Sequence, residues 1–297
     1  MQRPAHCHQD RIVFVKHGRF SRTAYKVALR RAAHQLFDQP KVLDDPLAVP
    51  IVGAEAAEKL RASPKERDHP VARAFRAFMA ARSRYAEDQL AQAVEQRVAQ
   101  YVVLGAGLDT FAYRNPHAAY LRVFEVDHPA TQAWKLERLQ AAGIAVPPAL
   151  QFVPVDFERQ TLAAGLEQGG FDSGSPAFLS WLGVTPYLTR ESCMATLRFI
   201  AQLPPGSGVA FDFAVDPKLL NLRQRLALHL ISRRVAAAGE PFQLYFRPAE
   251  LAQELRKTGF ERSEILDTEE INARYFKDRE DGLRVRGSLG QLMGAWV

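Results

Sequence analysis

The residues best suited to chemistry lie between positions 101 and 128. An apolar run at 101–104 ends in a turn that contains Gly105 and Gly107, and a second apolar run ends in Asp127. Because glycine has no Cβ, the backbone N–H groups of such a turn can approach a ligand, and the following residues can begin a helix. Asp127 lies 20 positions after Gly107, where a carboxylate can accept hydrogen bonds from both hydroxyls of a ribose. This spacing predicts a parallel sheet with a nucleotide site at its edge.

Two classes of cofactor use this arrangement, and the end of the turn distinguishes them. Dinucleotide-binding turns follow G-x-G-x-x-G/A, whereas the sixth residue here is Thr110 and Asp109 precedes it. A carboxylate at this position would repel a pyrophosphate, but it does not conflict with a cofactor that carries an ammonium and a sulfonium. The turn therefore favours S-adenosylmethionine over NAD. A plain connection between a strand and a helix is the alternative for an isolated Gly-x-Gly turn.

Five segments resemble one known family. LGAGLDTFAYR and FEVDHP are similar to the signature of the leucine carboxyl methyltransferase-like family, especially its bacterial branch of S-adenosylmethionine-dependent methyltransferases. AARSRYAED at 80–88, VPVDFE at 153–158 and FLSWLGVTPYLT at 178–189 match in the same order, so that the resemblance covers most of 22–215. It implies a Rossmann-like class I methyltransferase of the α/β class. We expect a mostly parallel, seven-stranded sheet with helices on both faces and a helical N-terminal cover.

The resemblance also implies roles for individual side chains. Arg82 would pair with the methionyl carboxylate of the cofactor, as a planar fork meets a planar anion; without the family, a surface arginine paired with Glu87 or another nearby acid is favoured. Asp156 would accept a hydrogen bond from the adenine amine while Phe157 packs on the ring, and the alternative for Asp156 is a helix N-cap. Lys26 resembles a second carboxylate partner on a looser alignment.

Of two further segments, the first resembles the family, and the second departs from its pattern. LDDPLA at 43–48 resembles a DDP segment that in the family belongs to a mobile cover over the cofactor, and a capping turn is the alternative. After the fourth predicted strand the chain departs from the pattern, because many relatives carry an acid about where Leu182 stands. One polar cofactor contact is then absent, or Trp181 and Tyr187 shape this wall differently. These two aromatic residues are candidates for the substrate wall or for the core.

Periodicity and turn residues predict one methyltransferase domain at 21–297 after an irregular N-terminus at 1–20. Within it, 21–97 would form the helical cover and 98–297 the Rossmann-like core. A basic, apolar helical insertion at about 217–240 is expected to cover the substrate cavity, and contact with a membrane surface is the alternative. The predicted strands are 101–104, 121–126, 151–155, 177–182, 208–215, ERSEILD at 261–267, and a last, antiparallel strand within 283–297.

The net charge of +6, with Arg22, Lys26 and Arg30 on one predicted helical face, is compatible with nucleic-acid binding. The interleaved aromatic residues of such a surface are missing, however, and positive charge is spread along the chain. The charge therefore favours a solvated surface or a field that attracts a small acidic substrate. No nucleic-acid partner is predicted.

Composition indicates a cytoplasmic enzyme without stable membrane insertion. No apolar run approaches the about 18 residues of a membrane span, and the N-terminus lacks the apolar segment of a signal peptide. Cys7 and Cys193 are too few for a disulfide scaffold. The 6–8 segment, His-Cys-His, has metal-ligand residue types at a spacing that does not suit one tetrahedral zinc, so no metal is predicted.

These features predict S-adenosylmethionine-dependent O-methylation of a small molecule, by in-line attack of a carboxylate or hydroxyl on the methyl group. A carboxylic acid is already ionised at neutral pH and needs no base, whereas a hydroxyl needs one; His34, His128 and Tyr187 are the candidates. A nicotinamide-dependent oxidoreductase and a non-catalytic binding module are the alternatives. Methylation of nucleic-acid bases is disfavoured because GVTPYL stands where an N/D-P-P-Y/F motif is required.

Overall fold

A computed structural model describes residues 21–157, 159–237 and 241–297. The predicted irregular N-terminus, the 6–8 segment, the last residue of the 153–158 segment and the end of the predicted insertion lie outside the described residues. Seven strands form one sheet in the order β3-β2-β1-β4-β5-β7-β6. They are β1 (Gln100–Leu104), β2 (Arg122–Asp127), β3 (Leu150–Pro154), β4 (Ala177–Trp181), β5 (Gly208–Ala214), β6 (Arg262–Leu266) and β7 (Gly290–Trp296).

The first five strands are parallel, and β7 runs antiparallel between β5 and β6. Every residue of β1, β4 and β5 is buried, as expected for central strands that carry helices on both faces. The predicted seven-stranded, mostly parallel sheet is confirmed, and so is the antiparallel strand near the C-terminus.

Eleven α-helices are present within the described residues. They are α1 (Arg22–Phe37), α2 (Ala48–Val52), α3 (Ala54–Arg61), α4 (Pro64–Asp68), α5 (Pro70–Glu95), α6 (Pro129–Ala141), α7 (Leu162–Gln168), α8 (Arg190–Ala201), α9 (Leu222–Ala236), α10 (Pro248–Thr258) and α11 (Thr268–Tyr275). Polar caps start several of them. The Ser21 side chain accepts from the Ala24 amide and begins α1, while Thr161 and Thr189 begin α7 and α8 in the same way.

Helices cover both faces of the sheet. Apolar side chains of α7, α8 and α10 pack on one face, where Leu166, Leu197 and Leu255 are fully buried. On the other face, α5 and α11 pack against β1, β4 and β5. A third apolar cluster joins α1, α2 and α3 to the end of α6. The N-terminal helices therefore pack on the rest of the fold through apolar contacts with α6, Leu108 of the glycine turn and Phe152 of β3.

The connection from β1 to β2 differs from the expected strand-turn-helix. Only a 3₁₀ turn, Phe111–Arg114, follows the glycine turn, because the Asp109 side chain accepts from the Phe111 amide at 2.8 Å and Pro116 comes soon after. Proline disfavours the α conformation in the residue before it, and Asn115 is accordingly non-helical. The 26-residue α5 covers this face of the sheet instead.

A buried network fixes the N-terminal helices. His34 Nδ1 lies 2.9 Å from Asp38 Oδ2, and Arg76 of α5 donates to both Asp38 oxygens at 2.6 and 2.7 Å. The Val42 and Leu43 amides donate to His34 Nε2. Burial raises the pKa of Asp38, but hydrogen bonds and charge from Arg76 and His34 outweigh it, so that the pKa lies below its ordinary value. We call His34, Asp38 and Arg76 the cover lock.

Candidate active site

A cavity of about 440 Å³ lies where the strand order reverses between β1 and β4. This is the position at which open α/β sheets bind ligands, beyond the carboxyl ends of their strands. The turn after β1, the chain after β4 and residues of α1 all line this cavity. The cavity contains four charged side chains among the described residues: Arg31, Arg82, Asp109 and Asp127.

The glycine turn and Asp127 lie together on the cavity wall, as their spacing predicts. The backbone N–H groups of the turn were expected to be available to a ligand, but they donate within the protein. Gly105 and Ala106 donate to the Val126 carbonyl, and Gly107 donates to Asp127 Oδ2 at 2.6 Å. These amides therefore fix the ends of β1 and β2 and are not free for a phosphate, which disfavours a dinucleotide here.

The glycines are required because neighbouring segments pack closely on the turn. Gly105 and Gly107 both have positive φ, at 67° and 47°. A Cβ on Gly105 would lie 2.5 Å from the Val184 side chain, and one on Gly107 would lie 2.9 Å from the Ala24 Cβ. The turn thereby lets α1 and the chain after β4 approach the end of β1.

Arg82 is buried on the cavity wall and held by an acid on a distant strand. Its Nη1 donates to Asp212 Oδ2 of β5 at 3.0 Å. The Gly183 amide donates to the other oxygen of Asp212 at 2.5 Å. Glu87 pairs with Arg114 instead, so the alternative of a surface pair between Arg82 and Glu87 is wrong. Within the described residues, the buried Arg82 Nε has no hydrogen-bond partner.

Arg31 and Asp212 are the site residues that the sequence reasoning missed. Arg31 of α1 donates to the Leu108 carbonyl at 2.5 Å, and its Nη1 lies 3.5 Å from Asp109 Oδ2. Lys26 is exposed and does not line the cavity. One signal was available for Asp212, since GVAFDFAV places an acid inside an otherwise apolar strand; an acid there needs a buried partner.

Asp45 joins the N-terminal segment to the turn. It is fully buried, and Thr110 Oγ1 donates to Asp45 Oδ2 at 2.7 Å. Arg31 Nε lies 3.5 Å from the same oxygen, and Arg114 Nε lies 3.4 Å from the other. Asp44 is exposed and pairs with Lys41. The helix that follows has Leu47 and not an aspartate at its N-cap, so Asp45 connects the segment to the site.

Of the two residues assigned to adenine, Phe157 lies beside a second, smaller cavity of about 30 Å³, whereas Asp156 lines neither cavity. Phe157 and Trp181 line it, together with Asp127, which lines both cavities. Asp156 is half-buried, 3.4 Å from Arg159. The alternative of an N-cap at Asp156 is wrong, because Thr161 caps α7.

The two aromatic candidates for the substrate wall are separated. Tyr187 and Leu182 both line the large cavity. The ring centroid of Tyr187 lies 5.2 Å from that of Phe242. Trp181 is buried against Phe211 beside the small cavity. No residue of α9 whose side chain the structure describes lines the large cavity; Pro241 and Gln243, further along the chain, do.

The three candidates for a catalytic base also have different surroundings. His34 belongs to the cover lock, with both ring nitrogens engaged. His128 caps α6 by accepting from the Ala130 amide and lines only the small cavity. Tyr187 alone of the three lines the large cavity. Across the described ranges, no group of three or more His, Cys, Asp or Glu could hold a metal ion.

Comparisons with known proteins identify the family of this chain. Residues 24–201 match the leucine carboxyl methyltransferase family. The Bacillus subtilis (strain 168) protein YktD, which is named as an S-adenosyl-L-methionine-dependent methyltransferase, is 33% identical over 287 residues, or 89% of this chain and 93% of YktD.

Solved structures share the fold at low sequence identity. A Thermobifida fusca protein named as a methyltransferase superposes with a TM-score of 0.56 at 17% identity, covering 95% of this chain and 96% of that one. A DUF574 family protein from Streptomyces avermitilis gives 0.55 at 19% identity, covering 90% and 99%. On the family match and the similarity to YktD, this chain belongs to the leucine carboxyl methyltransferase family of S-adenosylmethionine-dependent methyltransferases.

Proposed function

We propose that this methyltransferase transfers the methyl group to an oxygen of a small molecule, and that the preferred acceptor is a carboxylic acid. The observation that carries the proposal is a pair of buried arginines, Arg31 and Arg82, on the wall of the large cavity. Asp109 and Asp127 balance their formal charge, so the proposal depends on the two guanidinium groups as local partners for carboxylates. No His, Lys or Cys lines the cavity among the described residues, which leaves few groups that could remove a proton.

The cavity fits S-adenosylmethionine by the chemistry of its wall. Asp127 would accept from the ribose hydroxyls, and Arg82, whose buried Nε has no partner within the described residues, would bind the methionyl carboxylate. Phe157, which lines the small cavity, would pack on the adenine, and Asp156, the residue before it in the chain, would accept from the adenine amine. When bound, the cofactor supplies an electrophilic methyl group on a sulfonium.

Arg31 is the second cationic side chain on the cavity wall. We assign to it the binding of the carboxylate of the methyl acceptor. Leu108 and Asp109 hold its guanidinium against the turn, so it is oriented before an acceptor binds. The residues of the wall then contribute by aligning the acceptor and excluding water. This proximity effect lowers the activation barrier by an amount on the order of several kcal/mol. An ionised acid needs no base at neutral pH.

The test is transfer of labelled methyl from S-adenosylmethionine to matched sets of carboxylic acids, phenols and alcohols. We expect the label to appear on the carboxylic acids. The labelled product should release methanol in mild base, as methyl esters do and methyl ethers do not. The rate with an acid should be constant across neutral pH, because its ionisation is complete there. Labelling confined to phenols or alcohols, with a rate that rises with pH, would contradict the proposal.

Arg31→Gln tests the assigned residue. We expect the KM for the acid to rise about tenfold, equivalent to loss of one charged hydrogen bond of about 1.4 kcal/mol, with little change in affinity for the cofactor. Arg30→Gln is the matched control, since Arg30 neighbours Arg31 but pairs with Glu66 outside the cavity. Equal effects of the two variants would contradict the role of Arg31.

A further inference from the structure

The helix α9 leaves a row of leucines exposed. Leu222, Leu226 and Leu230 are 83%, 60% and 49% exposed, and their spacing of four places them on one side of the helix. Leu219, just before the helix, is also exposed. The opposite side is held to the protein through buried Leu228 and a hydrogen bond from Gln224 to Ser288.

Positive charge surrounds this leucine row. Residues 217–236 contain five lysines and arginines and no aspartate or glutamate. Arg223 and Arg233 are exposed beside the leucines. Two copies of such a face would bring like charges together, which disfavours self-association through it. The complementary partner is an apolar surface that carries negative charge.

We propose that the exposed face of α9 binds reversibly to a membrane surface rich in anionic phospholipid. The leucines would enter the boundary between headgroups and acyl chains, and the arginines would contact the phosphates, as in interfacial amphipathic helices. The binding is peripheral, since no helix in the described part of the chain is long and apolar enough to cross a membrane.

The experiment is co-sedimentation of the full chain with vesicles, either of phosphatidylcholine alone or with about one third phosphatidylglycerol. We expect binding to the anionic vesicles only, weakened by salt. Leu226→Gln with Leu230→Gln should reduce binding at least about tenfold, because each leucine loses its burial in lipid. Arg223→Gln with Arg233→Gln should reduce it by a similar factor.

Leu136→Gln is the matched control, because Leu136 is an exposed leucine on α6; it should bind like the wild type. Affinity for S-adenosylhomocysteine should be unchanged in all variants, which separates this proposal from the proposed function. Absence of binding to anionic vesicles, or equal binding by the leucine variant, would overturn the proposal. So would a dimer, or capture of an acidic protein, that depends on the leucine row while vesicles remain unbound.

Discussion

At the scale of single residues, the site depends on a buried ion pair that joins distant parts of the chain. Arg82 reaches the cavity wall from α5, and Asp212 holds it from β5. Gly183 completes the arrangement by donating its N–H to Asp212 and by leaving room for the guanidinium. Arg82 is thus oriented before a ligand binds, which limits the entropy lost on binding.

Gly183→Ala tests this arrangement. Gly183 has a φ of 72°, and a Cβ there would lie 2.9 Å from both Nη atoms of Arg82. The variant should lose about 1–2 kcal/mol of stability from left-handed strain and also bind S-adenosylhomocysteine about tenfold more weakly, as Arg82 is displaced. Calorimetry and urea unfolding measure the two effects.

The control for that variant is Gly282→Ala, because Gly282 has a φ of 63° and no atom within 4 Å of an added Cβ. It should lose similar stability and retain full affinity. If Gly183→Ala also retained full affinity, the contact with Arg82 would have no role in binding.

We predict that Asp127 makes cofactor binding depend on pH. Burial raises the pKa of Asp127, although hydrogen bonds from the Gly107 and His128 amides oppose the shift. Accepting from ribose hydroxyls requires the carboxylate, so affinity for S-adenosylhomocysteine should fall as the pH drops through this raised pKa, and binding in that range should release a proton. Calorimetry in two buffers of different ionisation enthalpy detects the proton. Constant affinity down to the ordinary pKa of 3.8 would contradict this role.

Local spacing made part of the site predictable. Gly105, Gly107 and Asp127 belong to one strand-turn-strand unit, so their sequence separation limits where they lie. Arg31 and Asp212 could not be found in this way, because their partners are 77 and 130 positions away. Only the packing of α1 and β5 on the sheet brings them to the cavity. The roles assigned to Arg82, Asp156 and Phe157 stay predictions.

At the scale of elements, the cover lock holds α1 and the following loop to α5. Asp38 is the centre of the lock, since it receives two hydrogen bonds from Arg76 and one from His34. All three side chains are almost completely buried. A buried carboxylate is tolerated only while its partners remain.

Arg76→Met should therefore destabilise the fold by about 3–5 kcal/mol, because it leaves the Asp38 carboxylate buried without its main partner. In the wild type, the pKa of Asp38 is lowered. The stabilisation of the folded state by its carboxylate is therefore fully present above the ordinary pKa and is lost as pH falls through the lowered value. The difference between variant and wild type should accordingly shrink as pH falls. Urea unfolding at several pH values measures it.

Arg84→Met is the control on the same helix, as Arg84 forms an exposed pair with Asp88. It should cost about 0.5 kcal/mol or less. A similarly small loss for Arg76→Met would show that the lock does not stabilise the N-terminal helices.

The elements themselves were largely predictable. The strands are short apolar runs bounded by turns, and this pattern is typical of buried parallel strands. The expected helix after the glycine turn was wrong, because the hydrogen bond from the Phe111 amide to Asp109 and the nearby Pro116 favour a 3₁₀ turn. That α5 covers this face instead depends on contacts between segments distant in sequence.

At the scale of the whole molecule, the N-terminal helices and the sheet enclose the cavity together. Ala24 and Arg31 of α1 line it, and so do the residues that follow the carboxyl ends of β1 and β4. Apolar packing, the cover lock and the contact from Thr110 to Asp45 hold α1 and the sheet in this relation. We infer that residues 21–297 fold as one unit with the cofactor site between cover and core.

The most direct test is calorimetric titration of S-adenosylmethionine and S-adenosylhomocysteine into the wild type, Arg82→Ala and Asp127→Ala. Arg84→Ala and Asp88→Ala, which lie on α5 but outside the cavity, serve as controls. NADH serves as the control ligand, and thermal unfolding verifies that each variant is folded. We predict wild-type dissociation constants on the order of micromolar, loss of at least about tenfold in affinity in both cavity variants, and unchanged controls. Absence of binding by the wild type, or full affinity in folded Arg82→Ala and Asp127→Ala, would show that this cavity is not the cofactor site.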